Sequence, residues 1–274
     1  MDLEVTRVGE HVMLWRLNRP SHNAYGGTLL RELIEAGRAA QADDSVRAVV
    51  TTGAGPSFCV GADVDDLSSL DGASLNAAFH HGLAGGDNGF SSTSAVVEAL
   101  EERGIGHWVL EFLRLDKPMI AAVNGPAAGG GFCLALLHDL RVLGPDAVFT
   151  PGFTAIGLAP EMGMSWLLPR LVGQAKTTEL LLLNPRIGAE EAVRCGLAHR
   201  VAADPVAEAV SIAEQVAALS PAAVAATLRL VRASGTTSLP DQLDREYRLQ
   251  QTLWETHEAR TAIAGLVARL NARR

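Results

Sequence analysis

KPMIAAVNGPAAGGGFCLALLHDL, residues 117–140, is the stretch on which the fold reading turns. Its opening, Lys117 to Val123, is a short apolar run that breaks off at a turn, which predicts a buried strand. NGPAAGGG follows, and a helix is expected from Phe132 to Leu137. Gly129, Gly130 and Gly131 therefore stand where that helix begins. First-turn amides of a helix have no intrahelical acceptor and carry partial positive charge, and glycine lets a ligand atom approach them.

The same order of strand and glycine turn occurs upstream. Val46 to Thr52 is short and β-branched, so it reads as a buried strand, and it runs into GAGPSFCVGADVDDL at 53–67. That segment carries a second cluster, Gly61-Ala62-Asp63. Each cluster alone fits a tight packing turn. Together, two amides aimed at one point would make an oxyanion hole.

Further out, Val12 to Leu17 is a strand, and Thr28 to Ala42 a helix with Leu29, Leu30, Leu33, Ile34 and Ala40 on one face. Residues 68–107 are rich in Ser, Gly, Asn and Asp, which predicts a mobile loop, with a helix re-forming from Ser94 to Leu113. Arg141 to Leu143 and Ala147 to Thr150 continue the alternation, and GLAPEMGMSWLLPRLVG at 157–173 reads as a turn. Beyond Pro205 the pattern is all helix: Glu208 to Leu219, Ala222 to Val231, Asp241 to Trp254 and Thr261 to Leu270. Leu243, Tyr247 and Trp254 share one stripe. The class is α/β over 1–204 with a helical region over 205–274.

Composition bounds the function. A chain of 274 residues, 48% hydrophobic and 20% charged, has enough apolar residues for a sizeable core. Its formal charge of −8 speaks against nucleic-acid binding. The start MDLEVTRVGEHV predicts no secretory leader, and no apolar run reaches membrane-spanning length. Cys59, Cys133 and Cys195 are far apart, as expected of reduced thiols in a cytoplasmic protein, and no metal site is expected. The GAG at Gly53 is not a dinucleotide fingerprint, because Phe58 replaces the third glycine and Pro56 removes an amide.

Glu161 lies between Pro160 and Met162-Gly163, among Ile156, Leu158, Trp166 and Leu167. A solvated acid is the ordinary reading of a lone glutamate. Apolar neighbours of this kind would raise its pKa and suit it to general-base work.

Five stretches occur in one order: LNRPSHNA (17–24), SFCVGADVDDL (57–67), DKPMIAAVNGPAAGGGFCLALLHDLRV (116–142), AIGLAPEMGMSWLLPRLVG (155–173) and RIGAEEAVRCGLAHRV (186–201). In these the chain resembles the crotonase superfamily, also called the enoyl-CoA hydratase/isomerase family, over nearly its whole length. The resemblance implies a ββα spiral core at 1–204 and a C-terminal trimerisation region at 205–274. It implies a homotrimer or dimer of trimers, and a place in fatty-acid metabolism. The substrate it implies is an acyl-CoA thioester, with coenzyme A part of the substrate and no separate cofactor. It maps the two oxyanion amides onto Ala62 and Gly130. Ala62, Asp63, Val64 and Asp65 would lie along the coenzyme, with Arg19 as a phosphate contact and Arg260, Arg269, Arg273 and Arg274 as candidates for the 3′-phosphate.

Family hydratases use two glutamates, and the matching positions here are Cys133 and Phe153. Glu161 falls instead on the acid position of the Δ3,Δ2-enoyl-CoA isomerases. The resemblance thus implies an isomerase that moves a 3-enoyl-CoA double bond to 2-enoyl-CoA with one carboxylate. Hydration, thioester hydrolysis or decarboxylation stay open, with His80, His81, Asp87, Glu98, Glu102 or His107 reaching over the site. A non-catalytic acyl-CoA-binding homologue is the reading from another class.

Overall fold

Alternation along each strand decides how the layers stack. In β2 (Val12–Leu17), Trp15 and Leu17 join one apolar cluster, while Val12 and Leu14 join another on the opposite face. Strands β3 (Ala48–Gly53) and β4 (Met119–Val123) do the same: Val49, Met119, Ala121 and Val123 face the first cluster, and Ala48, Val50, Ile120 and Ala122 the second. Side chains on successive strand residues point to opposite faces, so a sheet covered on both sides needs unbroken apolar runs. This computed structural model describes residues 1–25, 29–62 and 105–272.

The main sheet has six strands in the order β1-β2-β3-β4-β6-β9, adding β1 (Leu3–Val8), β6 (Leu140–Leu143) and β9 (Arg200–Val201). β1 and β2 are antiparallel, and every later pair is parallel. A second, three-stranded sheet is made by β5 (Ala127–Ala128), β7 (Val148–Thr150) and β8 (Ile187–Gly188). Each turn of the chain gives one strand to the large sheet and a short one to the small sheet. β4 and β5 form one such turn, β6 and β7 the next, and Cys59 bridges to Ala127 in the turn before. This is the ββα spiral that the sequence implied.

Helices α1 (Pro20–Asn23), α2 (Leu29–Ala42), α3 (Ile105–Phe112), α4 (Gly130–Leu136), α5 (Met164–Leu183) and α6 (Ala189–Arg194) follow the strands. α7 (Pro205–Ala217) lies on the outer face of the large sheet through Ala209 and Ala213, both fully buried. Asp204 caps it by accepting from Val206 N and Ala207 N. Small residues on that stripe let the helix approach β3 and β4 closely.

α8 (Pro221–Ser234) is tied to the core by Arg232, which makes a bidentate pair with Asp139 at 2.8 and 2.9 Å and donates to Leu115 O at 2.7 Å. α9 (Leu239–Trp254) and α10 (His257–Asn271) bury no residue in the single chain. No single described helix is long and apolar enough to cross a membrane.

One expected element is corrected. Residues 157–173 are not a turn throughout, because α5 starts at Met164. Pro169 and a left-handed break at Gly173 (φ 77°) hide it from a local reading, while Met164, Leu168 and Leu180 bury one face. Of the expected loop and helix at 68–113, only α3 and the residues after it fall within the described chain.

Candidate active site

The first glycine turn is held from two sides. Asn23, buried and in the left-handed region (φ 59°), donates through Nδ2 to Ser57 O at 2.9 Å and Ala54 O at 3.0 Å. Ala128 N donates to Cys59 O at 3.0 Å. Tyr25 N donates to Gly61 O at 2.5 Å, so LNRPSHNA and SFCVGA meet in space. Gly61 has φ +84°, and a methyl group on it would lie 2.8 Å from Ala128 O and 3.0 Å from Gly130 N. Only glycine fits there, and the fit brings the Gly61 turn against Gly130.

The second turn enters α4. Gly129 N donates to Thr150 O at 3.0 Å, and Gly129 O accepts from Cys133 N at 3.0 Å. Among the described residues neither Ala62 N nor Gly130 N has an acceptor. Among the described residues, then, both amides keep a free hydrogen, and the Gly61 turn lies against Gly130.

Glu161 arrives on a reversed turn. Met162 (φ 50°) and Gly163 (φ 80°) are both left-handed, and Glu161 O accepts from Met164 N at 3.0 Å. The Cys133 thiol also donates to Glu161 O, at 3.5 Å. The buried Met162 sets its sulfur against Gly130, 3.2 Å from where a methyl on that glycine would stand. Glu161 is half-buried, and burial raises its carboxyl pKa. Its charge adds to the upward push on Tyr25 and Cys133, which places it on their side of the site.

The direction of that shift matches the sequence reading, but the shield does not. Ile156, Leu158 and Trp166 are 64%, 53% and 43% exposed, so they are not the wall around the carboxyl. The buried residues next to it in the chain are Met162 and Met164, at 2% and 0% exposed.

Cys133 and Phe153, which the family resemblance sets at the hydratase glutamate positions, are both buried. Burial pushes the Cys133 thiol well up, so it stays protonated, and Cys59 is pushed up to about 12 for the same reason. Neither is a base near neutrality. Arg19 is engaged inside the fold: its guanidinium donates to Ala24 O at 3.0 Å and lies 3.8 Å from Asp2. Arg260 donates to Trp254 O at 3.5 Å.

Asp63, Val64, Asp65, Arg273 and Arg274 lie outside the described residues, as do His80, His81, Asp87, Glu98, Glu102 and the side chain of His107. Among the described residues no group of three or more His, Cys, Asp or Glu could hold a metal ion.

Tyr25 is the residue that the sequence did not flag. It directly follows LNRPSHNA and is one of two tyrosines in the chain. A phenol at the edge of a turn motif was the available signal.

Comparison with known proteins identifies the family and the fold. The family model described as enoyl-CoA hydratase/isomerase matches residues 7–84 and 73–273. A 1,2-epoxyphenylacetyl-CoA isomerase of Escherichia coli is 30% identical over 272 residues, 98% of this chain and 97% of that protein. A 4-chlorobenzoyl coenzyme A dehalogenase of an Arthrobacter species is 36% identical over 206 residues, 74% of this chain and 68% of that protein. The crystal structure of an enoyl-CoA hydratase from Bacillus anthracis superposes with a TM-score of 0.85 at 26% identity, covering 98% of this chain and 97% of that one. The chain therefore belongs to the enoyl-CoA hydratase/isomerase family of acyl-CoA enzymes.

Proposed function

We propose that the protein moves the double bond of a 3-enoyl-CoA to give the 2-enoyl-CoA, with Glu161 as the only acid/base. The observation that carries this reading is the Glu161 turn. Its carboxyl is half-buried with a raised pKa, and its main chain is fastened to Cys133 of the helix that begins at Gly130.

In the proposed reaction the thioester oxygen accepts from Ala62 N and Gly130 N. Glu161 removes a proton from C2, the electron pair spreads over a dienolate, and the same proton returns at C4. No atom is gained or lost, so one carboxylate suffices. Charge on the thioester oxygen grows as the proton leaves, and each fixed donor is worth roughly 3 kcal/mol there. A raised pKa suits a group that takes and returns a proton near neutrality. The reading needs no cofactor beyond the coenzyme A of the substrate. It leaves Asp63, Val64 and Asp65 as proposed coenzyme contacts, whereas Arg19 is held by Ala24 O and Asp2.

The relatives carry hydratase, dehalogenase and isomerase names, so the reaction is argued from the side chains. Hydration is disfavoured because Cys133 and Phe153 offer no carboxylate to orient water. The test is Glu161→Gln assayed for 3-enoyl-CoA to 2-enoyl-CoA conversion, with products resolved by mass. A loss of about 10²-fold or more is expected for a sole acid/base. Turnover kept within a few-fold, or a hydrated product from the unmodified protein, removes the isomerase reading.

A further inference from the structure

Tyr25 touches both glycine turns. Its backbone N–H donates to Gly61 O at 2.5 Å, and its hydroxyl donates to Gly130 O at 2.7 Å. The Gly61 carbonyl and the Ala62 N–H share one planar trans peptide, so a grip on the first orients the second. On the other turn the ring packs on Gly130: a methyl there would fall 2.5 Å from Cε2 and 2.9 Å from Cδ2. Tyr25 is 7% exposed. Burial first, then the neighbouring thiols and Glu161, hold the phenol protonated, so it remains a donor.

From this geometry we propose that Tyr25 is a positioning residue that fixes the spacing and direction of the Ala62 and Gly130 amides. The inference rests on the oxyanion-hole reading above and deepens it. Tyr25 acts through the two amides and moves no proton itself. One arm of the brace is the ring lying against Gly130 with its hydroxyl bonded to Gly130 O, which holds that residue at its α-carbon and at the peptide it shares with Gly131 N; the backbone bond to Gly61 is the other arm. Removing the hydroxyl frees the Gly130 arm and leaves the Gly61 arm intact. An oxyanion hole matters most when charge has developed on the thioester oxygen, so the loss should fall on kcat more than on KM.

The test uses Tyr25→Phe and replacement of Tyr25 by 4-aminophenylalanine, which keeps a donor of similar reach. Steady-state isomerisation and its pH profile are measured together with the absorbance of bound 3-phenylpropenoyl-CoA, whose band moves to the red when its carbonyl is polarised. For Tyr25→Phe the expected result is a fall in kcat of roughly 10- to 100-fold, as for small misplacements of catalytic groups. KM stays within about threefold, the red shift shrinks, and both limbs of the pH profile stay in place. The amino-substituted ring restores kcat and the red shift, which also separates the effect from a folding defect. A kcat within threefold of the parent with an unchanged red shift overturns the brace. So does the loss of one pH limb, which would make Tyr25 a proton donor. Absence of any red shift in the unmodified protein instead removes the oxyanion hole itself, and the brace with it.

Discussion

The Cys133 thiol donates to the backbone carbonyl of Glu161 at 3.5 Å, so the residue two places past the glycine run holds the turn that carries the acid. Cys133 thereby serves structure, not proton transfer, and its raised pKa keeps the hydrogen in place for that bond. The thiol is a weak donor, but Met164 N donates to the same oxygen and Met162 packs on Gly130. Three contacts of different kinds locate one carboxylate.

That carboxylate is expected to weaken the fold where it works best. Burial raises the Glu161 pKa, so the folded chain resists an ionisation that the unfolded chain undergoes at the ordinary value of 4.5. The penalty is absent below that value, grows as pH rises through the folded pKa, and is complete above it. Glu161→Gln should therefore melt higher than the parent at pH 7, by about 1–3 °C, with the gap closing in acid. Thermal melts at both pH values check this. In the parent, kcat/KM should fall as pH drops through the raised pKa, because the base must be ionised to act. A variant that melts lower at pH 7 would show that Glu161 is not held at a cost.

A second prediction concerns α9 and α10. Leu243, Tyr247, Trp254, Ile263, Leu266 and Leu270 are exposed in the single chain, on helices that bury nothing of their own. Apolar exposure on this scale marks an association surface, and we propose that it supports a homotrimer or a dimer of trimers. Light scattering should give three or six times the chain mass. The double substitution Tyr247→Glu, Trp254→Glu should lower it, since each charge would have to be desolvated at the contact. A parent protein that runs as one chain at micromolar concentration rules the assembly out.

Much of this architecture was legible locally. The inner strands β2, β3 and β4 announce themselves because both faces are covered, which requires uninterrupted apolar runs such as MIAAV, whereas the exposed edge strand β1 carries no such run. The glycine turns and Glu161 were visible for a similar reason, since each is marked by its neighbours in the chain. Tyr25 was not, because what it does depends on Gly130, 105 positions away. The shield around Glu161 was misread because Ile156, Leu158 and Trp166 look apolar in one dimension but face outward in three. α5 was missed because Pro169 and Gly173 are breakers by type, yet tertiary burial of Met164, Leu168 and Leu180 overrides them.

The last prediction follows from His138, a fully buried histidine that the proposed reaction does not use. Its Nδ1 lies 2.8 Å from Leu134 O and its Nε2 lies 2.8 Å from Thr51 Oγ1. A carbonyl only accepts, so Nδ1 carries the hydrogen and Nε2 accepts from the threonine: the ring is neutral and fully satisfied. Burial, with Arg141 and Arg232 nearby, lowers its pKa from 6.5 to about 4. Between those values the unfolded chain binds a proton that the folded chain refuses, so stability falls as pH drops through that window and does not change above it. The shift corresponds to roughly 3 kcal/mol at one residue. His138→Gln should be less stable than the parent at pH 7, because the fit to Thr51 and Leu134 is altered. Its unfolding free energy from urea titration should nevertheless decline less between pH 6.5 and pH 4, by an amount of that order. Comparing parent and variant at each pH cancels the titration of Glu161 and of His199, which are common to both. Parallel declines would place the acid sensitivity elsewhere and would mean that the ring is protonated in the folded chain.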